Sequence, residues 1–355
     1  MDAKKTLAEY KQKVEPELEA FFEKVISENR KSDKNIADAL SHAKKITMSG
    51  GKRARAAFMY YGYLAAGGKN KKEMLKASIS IELIHSFLLM HDDVIDCDEL
   101  RHGVKTMHTY YAEAAKKHIK NKDANHFGNS IAIIIGDILG AFGNRVLFEA
   151  KFDPKTVVKA LRKMQDIVSC TAIGEAQDVY IENKGQATEK EVMQMYENKT
   201  AKYTIEGPLH LGAILAGADR NFLQMLSEYS IPAGIAFQIQ DDILGVFGQV
   251  KKIGKPVGSD VRQGKQTILV AKALKNADRA QTKILKNCLG NTNLTEKDLD
   301  QFRQVIVETG SLAYAQKMAE KLIMEAKEKI GRASMQKEAK EFLLDIADYM
   351  LNREV

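Results

Sequence analysis

The chain has 355 residues, of which 45% are hydrophobic and 28% charged, as in an ordinary globular protein with a sizeable core. Its formal net charge of +7 is spread along amphipathic segments, unlike the basic runs with interleaved aromatics of a nucleic-acid-binding protein. This charge fits a solvated basic surface, or attraction for anionic substrates or a membrane surface. The three cysteines lie far apart without a CxxC pair, which argues against a disulfide framework or a zinc knuckle.

The composition also bears on location and fold class. The N-terminal stretch is charged and helical in pattern, unlike a signal peptide. The longest run without Lys, Arg, Asp or Glu, residues 124–136, has 13 residues and is too short to cross a bilayer. We therefore expect a cytoplasmic protein without a transmembrane segment. Few prolines, no tryptophan and abundant Ala, Leu, Lys and Glu favour an all-α fold, and without a linker-like stretch we expect residues 1–355 to form a single domain.

Helical periodicity accounts for most of the chain in order. Pro16 suits the first turn of a helix, and a second helix is predicted over residues 35–46. Further helices are predicted over residues 57–66, from 72 into a first acidic stretch, and over 129–150, 154–182, 189–216 and a second acidic stretch. Residues 267–355 are expected to form amphipathic packing helices with a turn near 289–291.

Two glycines, Gly50 and Gly51, precede Lys52 and Arg55 at the predicted start of a helix. Glycines let the backbone approach a ligand closely, and a helix N-terminus offers N–H groups to an anion. The stretch could hold an anion, although a surface connection is the more ordinary interpretation.

The first acidic stretch, residues 83–103, begins as an apolar helix and ends in a cluster of acids. Asp92 and Asp96 are four residues apart and share one helix face. His85 points within roughly 20° of both, and Asp93 lies to one side. The burial of carboxylates beside an apolar helix face costs free energy unless they bind a cation. This helix is therefore predicted to bind a metal.

The second acidic stretch, residues 233–248, repeats this arrangement. By three-four spacing, Gln238, Asp241, Asp242 and Gly245 share one face of a helix. A basic segment broken by glycines follows, which we interpret as a mobile loop that carries Lys255, Asp260 and Lys265.

Either acidic pair alone could be a helix cap or a solvated helix end, but the two together indicate a metal site. Oxygen ligands without Cys or clustered His suit Mg²⁺, which bridges carboxylates to phosphates. Neither a GxxxxGK[ST] nor a GxSxG motif occurs, so the expected chemistry is metal-assisted departure of diphosphate. The cations that would offset phosphate charge are Lys52, Arg55, Arg101, Lys199, Lys255 and Lys265.

These motifs carry a family resemblance over residues 50–267. In order they are GGKRAR, IHSFLLMHDDVIDCDELRHG, KT, FQIQDDILGVFG, GKPVGSD and GKQT. The chain resembles the trans-isoprenyl diphosphate synthases of the polyprenyl synthetase family, most of all the short-chain geranylgeranyl diphosphate synthases. The resemblance implies an all-α, isoprenoid synthase-type helical bundle around a deep central cavity, usually as a homodimer.

The resemblance also implies roles for individual residues. Asp92 and Asp96, assisted by Asp93, would bind several Mg²⁺ ions together with Asp241 and, as an open alternative, Asp242. The isopentenyl diphosphate site would consist of Lys52, Arg55 and His85, with His102 nearby. The allylic diphosphate site would consist of Arg101, Lys199, Thr200, Gln238, Lys255 and Lys265.

The implied reaction is ionisation of the allylic diphosphate, condensation with isopentenyl diphosphate and loss of a proton. Two positions depart from the family pattern: His102 replaces the second residue of Arg-Arg-Gly, and Gly245 replaces a third Asp. A bulky residue at Phe87, beside Leu88, would close the product tunnel, so a twenty-carbon product is predicted. The alternatives are a farnesyl diphosphate synthase, a terpene cyclase and a non-catalytic partner subunit.

Overall fold

The structure is a computed structural model that describes residues 2–118, 123–248 and 258–352. Of the chain, 82% is helical, and the only strands among the described residues are β1 (Leu100–Arg101) and β2 (Val104–Lys105). The predicted all-α class is confirmed. The deep central cavity stays a prediction.

Among the residues that the structure describes, eleven α-helices and one π-helix precede the end of the second acidic stretch. They are α1 (Ala3–Arg30), α2 (Lys34–Met48), α3 (Ala54–Ala65), α4 (Lys71–Ala77), α5 (Ile79–Ile95), α6 (Met107–His118), α7 (Ala124–Phe148), α8 (Pro154–Lys184), α9 (Glu189–Tyr196), the π-helix (Glu197–Glu206), α10 (Gly207–Leu215) and α11 (Arg220–Phe247). The helices described after residue 257 are Ser259–Gln263, Ile268–Asn276, Arg279–Cys288, Glu296–Glu308, Ser311–Arg332 and Lys337–Leu351.

Three local predictions were wrong. Asp260, which was predicted to lie in a loop, lies in the helix Ser259–Gln263. Pro16 lies inside the 28-residue helix α1 rather than in a first turn. Its side chain is exposed, while Val14 and Leu18 are fully buried on the opposite side, so packing holds the helix together across the missing N–H. The single helix predicted over residues 189–216 is interrupted by the ten-residue π-helix.

The chain divides into two compact units. The first comprises Met1–Ala3, Lys163–His210 and Ala218–Val355, and the second comprises Lys4–Arg162 and Leu211–Gly217. The first acidic stretch belongs to the second unit, and the second acidic stretch belongs to the first unit. The expectation of a single domain over residues 1–355 stays a prediction.

In the second unit, α5 packs against α7 and α3, and α7 also packs against α6. Helix α7 has 25 residues with a mean hydropathy of 1.7 in its most apolar window, so by length and composition alone it could cross a membrane. Within that window 39% of the residues are buried in the protein, and the core helix of a soluble protein can have the same length and hydropathy. The helix is weak support for a membrane span, and the expected absence of one stays a prediction.

In the first unit, α11 packs against the π-helix and against the helix Ser311–Arg332. Tyr229 of α11 is fully buried and donates a hydrogen bond to the carbonyl of Leu343 at 2.7 Å. A buried tyrosine hydroxyl needs such a partner. This packing fixes α11, whose C-terminal half carries the second acidic pair.

Candidate functional site

The first acidic stretch ends α5 with a left-handed cap. Asp96 is the C-cap, and Cys97 follows with a φ of 55°. The backbone N–H of Asp98 donates to the carbonyl of Asp93 at 3.0 Å, which is the hydrogen bond of a Schellman motif. This cap turns the chain sharply, so the acids at the end of α5 are brought close to the segment that follows.

That segment is a short hairpin. Leu100 pairs with Lys105, and Arg101 pairs with Val104. His102 and Gly103 form its turn with φ angles of 50° and 77°, the left-handed pair that a two-residue type I′ turn requires. The hairpin points Arg101 back at the acids of α5.

Arg101 is the centre of the first acidic cluster. Its Nε donates to Asp93 Oδ1 at 2.7 Å, and its Nη2 also contacts that oxygen. Nη2 lies 3.4 Å from Asp98 Oδ2 and 3.7 Å from Asp92 Oδ2. Burial raises the pKa of Asp93 to about 6, although the charge of Arg101 opposes the shift. Asp93 is 1% exposed, so its carboxylate is held inside the protein.

Asp92 and Asp96 differ from Asp93 because both remain partly exposed. Among the residues that the structure describes, no group of three His, Cys, Asp or Glu side chains is arranged to hold a metal. Mg²⁺ usually takes only one or two carboxylates, keeps several waters and binds substrate phosphates. A pair of accessible carboxylates therefore fits this ion better than a closed cage would.

The glycine-rich loop before α3 is fixed by buried charges. Arg53 adopts a left-handed conformation and pairs with Glu15 at 3.0 Å and with Glu82 at 3.5 Å. Glu82 Oε1 also accepts the backbone N–H of Ala56 at 3.1 Å. The expectation that the start of α3 offers open N–H groups is therefore wrong for this amide, which already has a carboxylate partner.

The cations of this loop are arranged around His85 and His102. Arg55 Nη1 lies 3.2 Å from His85 Nε2, and because a guanidinium can only donate, Nε2 accepts. Burial, followed by the charges of Arg55 and Arg101, holds the pKa of His85 well below its usual value. A Cβ at Gly50 would lie 2.6 Å from His102 Cδ2, so His102 packs on the loop. Lys52 is exposed.

Burial, followed by the charges of Arg101 and Arg53, also lowers the pKa of His102. His102 is therefore neutral near pH 7. It would act as a hydrogen-bond donor to an anion rather than as a second fixed charge like the arginine of the family pattern.

Phe87 lies on the side of α5 that faces α7. A Cβ at Gly140 would lie 3.3 Å from its ring, and its ring meets that of His91 edge-on with centroids 4.8 Å apart. Leu88 is also partly buried. The role of either side chain in product length stays a prediction.

In the first unit, Asp242 belongs to a buried hydrogen-bond network. The Tyr196 hydroxyl donates to its Oδ2, and Gln238 Nε2 donates to its Oδ1 at 2.8 Å. Thr200 in turn donates to Gln238 Oε1 at 2.6 Å. Burial raises the pKa of Asp242 well above its usual value, against these hydrogen bonds. Asp241 beside it remains partly exposed, and is the accessible acid of the pair.

Lys199 and Lys265 meet at one carboxylate of α8. Asp178 Oδ2 lies 2.7 Å from Lys199 Nζ and 3.3 Å from Lys265 Nζ. Burial would raise the pKa of Asp178, but the two lysines outweigh it and hold the pKa below its usual value. Lys255 lies outside the described residues.

Sequence reasoning missed Asp178 together with its neighbours Glu175 and Glu182. The available signal was their spacing of three and four residues, which places all three acids on one face of a helix. That face would have been interpreted as a solvated surface, because the partner lysines are distant in sequence.

Comparisons with known proteins agree with these motifs. A family model described as polyprenyl synthetase matches residues 37–306. A geranylgeranyl diphosphate synthase of Saccharolobus solfataricus is 35% identical over 81% of both chains. A geranylfarnesyl diphosphate synthase of Aeropyrum pernix is 32% identical over 89% of this chain and 95% of its own.

A crystal structure of similar shape is that of geranylgeranyl pyrophosphate synthase from Corynebacterium glutamicum, complexed with isoprenyl diphosphate and magnesium. It has a TM-score of 0.90 and 28% identity, and the match covers 100% of both chains.

Proposed function

The chain belongs to the polyprenyl synthetase family and is a prenyltransferase, and we propose that it condenses isopentenyl diphosphate with allylic diphosphates to give geranylgeranyl diphosphate. One observation carries the proposal beyond the family match. In each acidic pair one member is buried and held by protein donors, while its neighbour remains partly exposed. Such pairs suit a polyphosphate substrate that brings its own metal ions.

We assign Mg²⁺, as several ions per active site, to the partly exposed Asp92, Asp96 and Asp241. When bound, Mg²⁺ neutralises the charge that develops on the departing diphosphate. The buried Asp93 orients Arg101, and the buried Asp242 orients Gln238, so both act through a neighbour.

The side chains of the protein bind the two diphosphates. Isopentenyl diphosphate is assigned to Lys52, Arg55, His85 and His102. The allylic diphosphate is assigned to Arg101, Lys199, Thr200, Gln238, Lys255 and Lys265. Cations held beside the leaving group stabilise its charge in the transition state, and such electrostatic stabilisation usually contributes most to the acceleration of a reaction of this kind. The isopentenyl double bond attacks the allylic cation, and the proton that is lost passes to the departed diphosphate.

We also propose that the enzyme is a cytoplasmic homodimer. The family that the chain resembles usually forms homodimers, and the adjacent Ile133 and Ile134 of α7, which are 43% and 50% exposed, would add apolar area to such a contact. Sedimentation velocity should give the mass of two chains. A single species of 39.6 kDa would contradict the homodimer.

Product analysis tests the function. The protein is incubated with Mg²⁺, isopentenyl diphosphate and five-, ten- or fifteen-carbon allylic diphosphates, and the chain lengths are measured. We expect twenty carbons. A fifteen-carbon product would favour the farnesyl diphosphate synthase that Phe87 also allows, cyclised hydrocarbons would indicate a terpene cyclase, and no prenyl product at all would favour a non-catalytic partner subunit.

A matched pair of variants tests the metal assignment. Asp92→Asn should lower kcat by about 100-fold or more, because a carboxylate in contact with the metal is lost. Asp137→Asn is the control, since Asp137 is 66% exposed on α7 and should leave kcat within about twofold. Equal activity in the two variants would contradict the assignment.

A further inference from the structure

A buried carboxylate of α8, Asp178, joins two lysines of the proposed allylic diphosphate site. Asp178 is 4% exposed, and its Oδ2 contacts Lys199 Nζ at 2.7 Å and Lys265 Nζ at 3.3 Å. Lys199 comes from the π-helix, and Lys265 comes from the segment before the helix Ile268–Asn276. One oxygen atom therefore sets the distance between two cations from separate segments.

Two further acids complete this arrangement, which we call the lysine cradle (Glu175, Asp178 and Glu182). Glu175 Oε2 lies 2.8 Å from Lys199 Nζ, and Glu182 Oε2 lies 3.0 Å from Lys265 Nζ. Among the described residues, the three carboxylates of the cradle exceed the two ammonium charges that they contact. The cradle therefore weakens the resting attraction of these lysines for an anion while it fixes their positions.

A glycine of the same helix face lets the π-helix approach the cradle. A Cβ at Gly174 would lie 2.6 Å from the Cα of Lys199, closer than side chains and backbone can pack. The backbone at Lys199 thus rests on α8 one turn before Asp178. Single-turn π-bulges occur often at functional sites, and this longer π-helix presents Lys199 toward the cradle.

We propose that Asp178 is a positioning residue that holds Lys199 and Lys265 so that both ammonium groups meet the departing diphosphate together. This inference rests on the proposed function. Lysine side chains lose much rotamer freedom when they are fixed, and the cradle imposes that loss before substrate arrives. The fixed orientation of the two lysines then stabilises the transition state more than the bound substrate.

The inference predicts that removal of the Asp178 charge changes kcat and diphosphate affinity in opposite directions. In Asp178→Asn, kcat should fall about tenfold or more, because the two lysines lose their common anchor. Binding of inorganic diphosphate with Mg²⁺, measured by calorimetry, should become about threefold tighter or more, because one opposing charge is gone. Asp178→Glu should recover part of kcat.

Glu206→Gln is the matched control. Glu206 is 8% exposed, pairs with Lys163 at 3.4 Å and lies on the same π-helix as Lys199. Loss of this buried pair should lower the melting temperature and leave kcat within about twofold. Gly174→Ala is a second variant, which should lower kcat without tighter diphosphate binding because it displaces Lys199 and changes no charge.

Two results would overturn the inference: a kcat of Asp178→Asn within threefold of the wild type, or a parallel fall of kcat and diphosphate affinity. The second is what general damage to the fold would produce. Diphosphate binding requires no turnover, so it tests Asp178 even if the wild type forms no prenyl product. That absence of product would instead contradict the proposed function.

Discussion

The carboxylate of Asp260 lies against the backbone of Gly245. A Cβ at residue 245 would stand 2.5 Å from Asp260 Oδ2, a separation that would force one group to move. The backbone N–H of Gly258 donates to the carbonyl of Gly245 at 3.0 Å, so the segment that carries Asp260 is attached to this turn of α11. Where many family members have a third Asp on α11, this chain has space for an acid from another segment.

Introduction of the third Asp at position 245 should therefore destabilise the folded protein. We expect Gly245→Asp to lower the free energy of unfolding by about 2 to 4 kcal/mol, because it overpacks the contact and adds a like charge. Denaturant unfolding measures the change. The double variant with Asp260→Ala should regain most of the loss, and a single variant as stable as the wild type would show that the contact is not tight.

The raised pKa of Asp93 predicts a pH-dependent contribution to stability. Its folded pKa of about 6 exceeds that of an unfolded aspartate, near 3.9, so between these values the folded state binds more proton. The stability of the wild type relative to Asp93→Asn should therefore fall as pH rises from about 4 to about 6.5, by roughly 3 kcal/mol. Unfolding of both proteins at several pH values measures this difference, and a constant difference would contradict the prediction.

The contact between Arg55 and His85 predicts a substrate-specific defect. His85→Leu removes the acceptor of a charge-assisted hydrogen bond worth roughly 1.5 to 3 kcal/mol. We expect KM for isopentenyl diphosphate to rise about tenfold, while KM for the allylic substrate stays within about threefold. Steady-state kinetics with each substrate varied in turn measures both constants.

Gln can replace the acceptor, so His85→Gln is the matched control and should retain most of the affinity for isopentenyl diphosphate. A defect that falls equally on both substrates would contradict the assignment of Arg55 and His85 to one diphosphate site.

Local patterns predicted the parts of the fold that depend on neighbouring residues. The apolar face and the pair of adjacent acids on α5 and on α11 could be predicted from the sequence, because helical spacing places these side chains together. The interior position of Pro16 was not, since tertiary packing overrode its preference for a first turn. The π-helix was also missed, because its residues continue the apolar pattern of an ordinary helix.

The candidate site shows the same limit. The difference between the partly exposed Asp92 and the buried Asp93 depends on Arg101, which the hairpin turns back toward α5. Lys199 and Lys265 are brought together by their common contact with Asp178, a residue that belongs to none of the motifs recognised in the sequence. Both arise from packing between segments distant in sequence, which a single sequence does not encode locally.

Phe87 provides the test of product length. Its ring fills the space above Gly140 and against His91, so Phe87→Ala should open a cavity beside α7 and lengthen the main product by at least one five-carbon unit. Because the ring is only half-buried, its loss should lower the free energy of unfolding by no more than about 3 kcal/mol. The variant should therefore remain folded. Leu88→Ala is the competing variant, because by helical geometry Leu88 lies nearly beneath Asp92 and its side chain would then close the tunnel instead. Product lengths that change in Leu88→Ala and not in Phe87→Ala would transfer the role to Leu88.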